Sequence, residues 1–262
     1  MTILDKIIER KKIEVAEAKS KTSLQQLEQF PLFSRPCYSL KESIENPLRT
    51  GIIAEYKRAS PSKGIINNSS TVQEVVEGYQ IAGASAISVL TDRDFFQGSL
   101  ADLSNAREVL QIPLLRKEFI VDSYQIAEAK AYGADIILLI AACLTPEEVQ
   151  SLSNYAKSLG LNVLLEVHNE EELQHNIFDS IDAIGVNNRN LKNFTVSLDH
   201  SYDLVNKIPD QFIKVSESGI SDPSTIMDLR KRGFQSFLIG ENFMKTMAPG
   251  EAMQDFVKQL AG

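Results

Sequence analysis

Several short apolar runs in this chain end in charged residues able to move protons. Ile52-Ile53-Ala54 runs into Glu55-Tyr56-Lys57, and Leu114-Leu115 runs into Arg116-Lys117-Glu118-Phe119. Leu164-Leu165 runs into Glu166-Val167-His168. In an extended strand, alternate residues share a face, so Glu55 and Lys57 are expected to point together. A lysine beside carboxylates changes its hold on a proton, which general acid–base catalysis requires. A structural ion pair would explain Glu55 and Lys57 taken alone. It would not explain Lys117 and Glu166 arriving from other runs. Three further runs end in polar residues: Val186-Asn187-Asn188-Arg189-Asn190, Val215-Ser216-Glu217-Ser218-Gly219 and Ile239-Gly240-Glu241-Asn242.

Something must bring these tails together. Gly83, Gly133, Gly160 and Gly233 each follow a helical stretch and precede an apolar run. Glycine is favoured just past a helix end, where the chain turns left-handed. Their separations are multiples of about 25 residues, the length of one βα unit in a barrel. Filling the gaps gives eight strands, at 51–56, 86–90, 112–117, 135–140, 162–167, 183–187, 212–217 and 236–240. The intervening helices are expected at 72–82, 101–110, 124–132, 146–158, 170–175, 199–206 and 222–232, with a last one at 249–260. Continuous apolar strands alternating with helices imply a parallel sheet buried on both faces. A doubly wound open sheet gives a similar pattern, but eight strands with polar tails favour a (β/α)8 TIM barrel. Residues 1–48 read as an N-terminal helical extension (helices over 2–19 and 23–29, then a loop-rich stretch) and 49–262 as the barrel, together one domain.

Barrel active sites lie at the C-terminal strand ends, and loops after strands seven and eight often hold a phosphate. Here those loops read Ser218-Gly219-Ile220 and Gly240-Glu241-Asn242. Glu241 has the wrong charge for phosphate, so its backbone is expected to matter and its side chain to point away. The basic stretch Lys57–Gly64 lacks P-loop spacing. It reads equally well as a solvated loop or as a lid that closes on an anion.

The formal charge of −8 shows no basic surplus of the kind nucleic-acid binding needs. The N-terminus has no signal-peptide core, and no stretch approaches the roughly 18 apolar residues of a membrane helix. A cytoplasmic location is expected, without nucleic-acid or membrane partners. Cys37 and Cys143 read as idle thiols. His168, His175 and His200 do not form a metal set, and His168 reads as structural.

The blocks Ile53–Ser62, Leu115–Phe119, Leu164–His168, Ile184–Leu191 and Val215–Ile220 closely resemble the indole-3-glycerol-phosphate synthase family. The resemblance covers essentially the whole chain and implies a cofactor-free barrel enzyme of tryptophan biosynthesis. Such an enzyme converts 1-(2-carboxyphenylamino)-1-deoxyribulose 5-phosphate into indole-3-glycerol phosphate, CO2 and water. At matching positions it implies Lys117 as general acid and Glu166 as general base or dehydration aid. Lys57 matches an anion contact that can take part in dehydration. Glu55 and Asn187 match positioning groups, and Ser60 and Arg189 match carboxylate contacts. Phe119 matches an aromatic wall, and Glu217, Ser218, Gly219, Gly240 and Glu241 fall among the substrate-binding positions. The division of labour between Lys57 and Lys117 stays open. Asn190 departs from a common Asp, and Asn242 from a small residue. A monomer with no fused isomerase domain is expected. Phosphoribosylanthranilate isomerase, another phosphate-binding barrel, would need a well-placed Cys, and neither cysteine follows a suitable strand. A barrel that only binds a metabolite would not need both Lys117 and Glu166.

Overall fold

The computed structural model describes residues 3–190 and 195–261; Leu191, in one of the blocks above, lies outside them. Eight parallel strands close into a barrel: β1 (Ile52–Tyr56), β2 (Ala86–Leu90), β3 (Leu114–Lys117), β4 (Ile136–Ile140), β5 (Asn162–Val167), β6 (Ala183–Asn187), β7 (Ile213–Glu217) and β8 (Ser236–Ile239). Each expected strand is present, most of them a residue or two shorter. β8 pairs with β1 through Ile52 beside Phe237 and Ala54 beside Ile239, which closes the ring.

Helices alternate with the strands. The N-terminal part holds α1 (Ile3–Lys21), α2 (Leu24–Glu28) and α3 (Leu40–Glu45). The barrel adds α4 (Val72–Ile81), α5 (Arg93–Phe96), α6 (Leu100–Val109), α7 (Ser123–Ala131), α8 (Pro146–Ser158) and α9 (Glu170–His175). It is completed by α10 (Asp199–Leu204), α11 (Pro223–Arg232), α12 (Glu241–Met244) and α13 (Pro249–Ala261). The caps are chemical. Thr145 accepts from the Glu148 N–H, Glu148 accepts from Thr145 in return, and Pro146 opens α8. Asp222 caps α11 ahead of Pro223, and Gly233 ends that helix at φ 111°.

Strand alternation divides the apolar residues between two cores. Ile53, Ala86, Leu115, Leu138, Leu164, Val215 and Leu238 fill the barrel interior. Ile52, Ala54, Val89, Leu139, Val163 and Phe237 face the surrounding helices. The helix α3 lies in the stretch read from sequence as loop. Its six residues are too few to show a 3.6-residue period, yet Leu40 is fully buried within the interior cluster.

The extension ends up on both sides of the barrel. α3 closes the interior from the N-terminal side, where the Leu40 N–H donates to Asn162 at the start of β5. α1 lies across the opposite end. Its Lys11 ammonium is buried and meets Glu14 at 2.6 Å, Asp92 at 2.9 Å and Glu118 at 3.0 Å. Asp92 follows β2 and Glu118 follows β3, so one cation ties the extension to two strand ends. Among the described residues, no helix is long and apolar enough to cross a membrane.

Candidate active site

The C-terminal strand ends surround a cavity of about 690 Å3. Every site residue expected from the sequence lines it: Glu55, Lys57, Ser60, Lys117, Phe119, Glu166, Asn187, Arg189, Glu217, Ser218, Gly219, Gly240 and Glu241. The ladder explains the convergence. Lys117 is level with Leu90, Glu166 with Ile140, and Asn187 with Glu217, so the charged tails emerge at one rim.

Lys117 lines the cavity between two carboxylates. Its Nζ donates to Glu166 Oε2 and to Glu217 Oε2, each at 3.0 Å. Asn187 Nδ2 donates to Glu166 Oε1 at 3.0 Å. Asn187 Oδ1 in turn accepts from the Arg189 N–H and the Ser218 hydroxyl, both at 2.9 Å. Glu55 and Lys57 form their own pair at 2.8 Å. The two lysines are therefore not equivalent: Lys117 is shared by two carboxylates, whereas Lys57 pairs with Glu55.

Burial disfavours charge on Lys117, but Glu217, Glu166 and Glu55 more than offset it and hold the ammonium well above the usual lysine range. Burial likewise opposes the Glu166 anion. Lys117, His168 and Asn187 overcome that and pull it below the usual carboxylate range. Burial pushes the Glu217 carboxyl up, and repulsion from Glu166 and Glu55 adds to this against the pull of Lys117, leaving it at about 7. The site thus combines a firmly protonated lysine, a firmly ionised carboxylate and a carboxyl that titrates near neutrality. Groups held in different protonation states side by side are what acid–base chemistry requires.

Two glycines make room for this cluster. A Cβ on Gly185 would overlap Glu217 Oε1, and one on Gly240 would lie 2.6 Å from Glu55 Oε1. Gly185 lies within the block Ile184–Leu191 but was given no role of its own, because its part is only to be small. Phe96 was also missed. It stands on α5, its ring 6.2 Å from that of Phe119, and with Ile3, Leu4 and Ile7 of α1 it gives the cavity an apolar wall. Nothing in its sequence neighbourhood marks it, since the contact spans two loops.

The opposite side is polar. Ser218 and Gly219 both have positive φ, 70° and 78°. Asn242 Nδ2 reaches the Ser221 carbonyl at 3.4 Å, so the unusual Asn joins the loops after β7 and β8. Asn190 donates its N–H to the Thr195 carbonyl at 2.8 Å. The side chain of Glu241 does not point away as expected. It lines the cavity, 3.8 Å from Lys63 and 3.9 Å from Arg189, drawn there by two cations. The basic stretch after β1 is a small hairpin, with Ala59-Ser60 pairing with Gly64-Ile65. Ser60, Pro61, Ser62 and Lys63 line the cavity, while Arg58 is turned away onto Asp102. His168 is not an isolated structural histidine: its Nε2 lies 3.3 Å from Glu166 Oε1. Cys143 is partly buried and burial pushes its thiol up. No grouping of residues suited to a metal ion occurs among the described residues.

Barrel and cluster together define an enzyme of the (β/α)8 class with a lysine–carboxylate centre at the strand ends. The sequence model for indole-3-glycerol phosphate synthase matches residues 4–257. The indole-3-glycerol phosphate synthase of Bacteroides thetaiotaomicron is 47% identical over 258 residues, 98% of each chain. That of Polynucleobacter asymbioticus is 43% identical, covering 97% of this chain and 98% of its own. The fold is also similar to tryptophan synthase subunit alpha from Legionella pneumophila, at TM-score 0.62 and 12% identity over 85% of this chain and 98% of that one. The chain belongs to the indole-3-glycerol phosphate synthase family.

Proposed function

We propose that the chain closes the indole ring of 1-(2-carboxyphenylamino)-1-deoxyribulose 5-phosphate, releasing CO2 and water to give indole-3-glycerol phosphate. The observation that carries this reading is Lys117, held between Glu166 and Glu217 in a cavity with an apolar wall on one side and glycine loops on the other. The aryl ring lies against Phe96 and Phe119. The phosphate lies at the loops of Ser218, Gly219 and Gly240, and the carboxylate faces Ser60 and Arg189.

Lys117 protonates the ribulose carbonyl oxygen as the aryl carbon bearing the carboxylate attacks the carbonyl carbon. CO2 then leaves, and its bonding electrons restore the aromatic ring. Loss of water follows. An ammonium protonates the departing hydroxyl, and Glu166 removes a proton from the neighbouring carbon. Lys57 anchors substrate anions and stands ready as the second acid, with Glu55 holding it in place. Fixing one flexible substrate against these groups turns three difficult steps into reactions within one complex. The extension at residues 1–48 works with the barrel as one unit, and the enzyme acts as a cytoplasmic monomer without a cofactor. Incubation with the substrate, followed by indole fluorescence, tests the reading. Absence of an indole product under conditions where the protein is folded rejects it.

A further inference from the structure

Glu166 must stay ionised beside an ammonium and receive a proton only when carbon gives one up. Three groups act on it. Lys117 takes Oε2, while Asn187 donates to Oε1. The third is His168, whose Nε2 is buried, lies within ion-pair distance of Glu166 Oε1 at 3.3 Å and has no hydrogen-bond partner. On its far side, His168 Nδ1 is 3.2 Å from Glu172 Oε2 on α9.

Glu172 is itself held firmly. It accepts from the His168 backbone N–H at 2.8 Å and from Asn169 Nδ2 at 2.8 Å, while its own N–H is capped by Asn169. The result is a carboxylate–imidazole–carboxylate bridge running from the start of α9 to the base. His168 does not line the cavity, so it acts on the reaction through Glu166.

Charge gives this bridge a purpose. Glu55, Glu166 and Glu217 meet at the cavity around Lys57 and Lys117, and the proposed substrate brings a carboxylate and a phosphate. An imidazolium behind Glu166 adds positive charge beside this carboxylate cluster without occupying substrate space. We propose, building on the reading above, that His168 is a positioning residue: bridged to Glu172, it fixes Glu166 Oε1, keeps that carboxylate ionised, and leaves Oε2 for Lys117 and the proton taken from carbon. The titratable groups around it are Glu166 on β5, Glu172 on α9 and Cys143 beyond β4, with Lys117 on the other side of Glu166. Burial opposes charge on His168, but its contacts with Glu166 and Glu172 outweigh that and lift it to about 10.

Two measurements test this. In the ligand-free wild type, 15N NMR should show both ring nitrogens of His168 protonated through pH 9; a midpoint near the ordinary 6.5 overturns the proposal. In His168→Gln, which keeps a donor but no charge, kcat should fall on the order of tenfold with KM little changed. The acidic limb of its kcat–pH profile should move to higher pH, because the carboxylates lose a neighbouring cation. Glu172→Gln should move that limb the same way by less. Unaltered kcat and an unmoved limb in His168→Gln overturn the proposal. The NMR result stands whether or not His168→Gln folds. Wild-type enzyme run alongside keeps the two ideas apart, since failure to form the indole product rejects the proposed reaction and leaves the His168 titration to be judged separately.

Discussion

Glu217 offers a prediction in which stability, rather than turnover, reports on the site. Its carboxyl is fully enclosed, shares Lys117 with Glu166, and has one oxygen, Oε1, with no hydrogen-bond partner. Burial and the neighbouring carboxylates lift it from 4.5 to about 7. The folded protein therefore binds this proton more tightly than the unfolded chain does. The associated stability is fully present below about pH 4.5 and is lost as pH rises through 7. At about 1.4 kcal/mol per tenfold change, the loss amounts to roughly 3 kcal/mol. Glu217→Gln removes this titration, apart from a pH-independent cost for its imperfect amide contacts. Urea unfolding of both proteins from pH 5 to pH 8.5 should show the variant gaining on the wild type by roughly 3 kcal/mol as pH rises. A constant difference across that range would refute the account of how Glu166 and Glu217 share Lys117.

Gly185→Ala forces a methyl group into Glu217 and should lower kcat at least tenfold while costing about 1–3 kcal/mol of stability, read by urea unfolding. Lys11→Met removes the cation that binds Glu14, Asp92 and Glu118, so α1 should loosen. Hydrogen exchange should rise in α1, stability should fall by about 3–5 kcal/mol, and KM should rise more than kcat falls. Inorganic phosphate should compete with substrate at millimolar concentration, measured by initial rates. Absence of competition would count against the assignment of the loops after β7 and β8.

The fold and the list of lining residues were legible because barrel chemistry collects at strand ends, and strands buried on both faces are written as continuous apolar runs. The polar tail of each run then marks the rim. What was not legible depends on contacts between distant segments. Gly185 matters because Glu217 occupies the space above it, and the two lie on neighbouring strands 32 residues apart. Lys11 looks like one of many lysines on a charged helix face, yet it is buried among acids from the loops after β2 and β3 and from α1 itself. Phe96 reaches the site only through the four-residue helix α5, too short to register as a periodic pattern. Glu241 was expected to turn away on charge grounds, but Lys63 and Arg189 come from loops whose approach no local pattern reveals. The same limit explains why Lys57 and Lys117 could not be ranked from sequence: their difference lies in how many carboxylates each one touches.

The central claim is that Lys117 supplies the proton for ring closure and Glu166 takes one during dehydration. Single-turnover kinetics of wild type, Lys117→Ala and Glu166→Gln with the carboxyphenylamino-deoxyribulose phosphate test it most directly, with folding checked by circular dichroism and substrate binding by titration. Lys117→Ala should bind substrate yet form product at least 10²–10⁴-fold more slowly, the range expected for loss of a general acid. Glu166→Gln should slow the dehydration step more than CO2 release. Product formation at the wild-type rate in a folded Lys117→Ala variant would contradict the account.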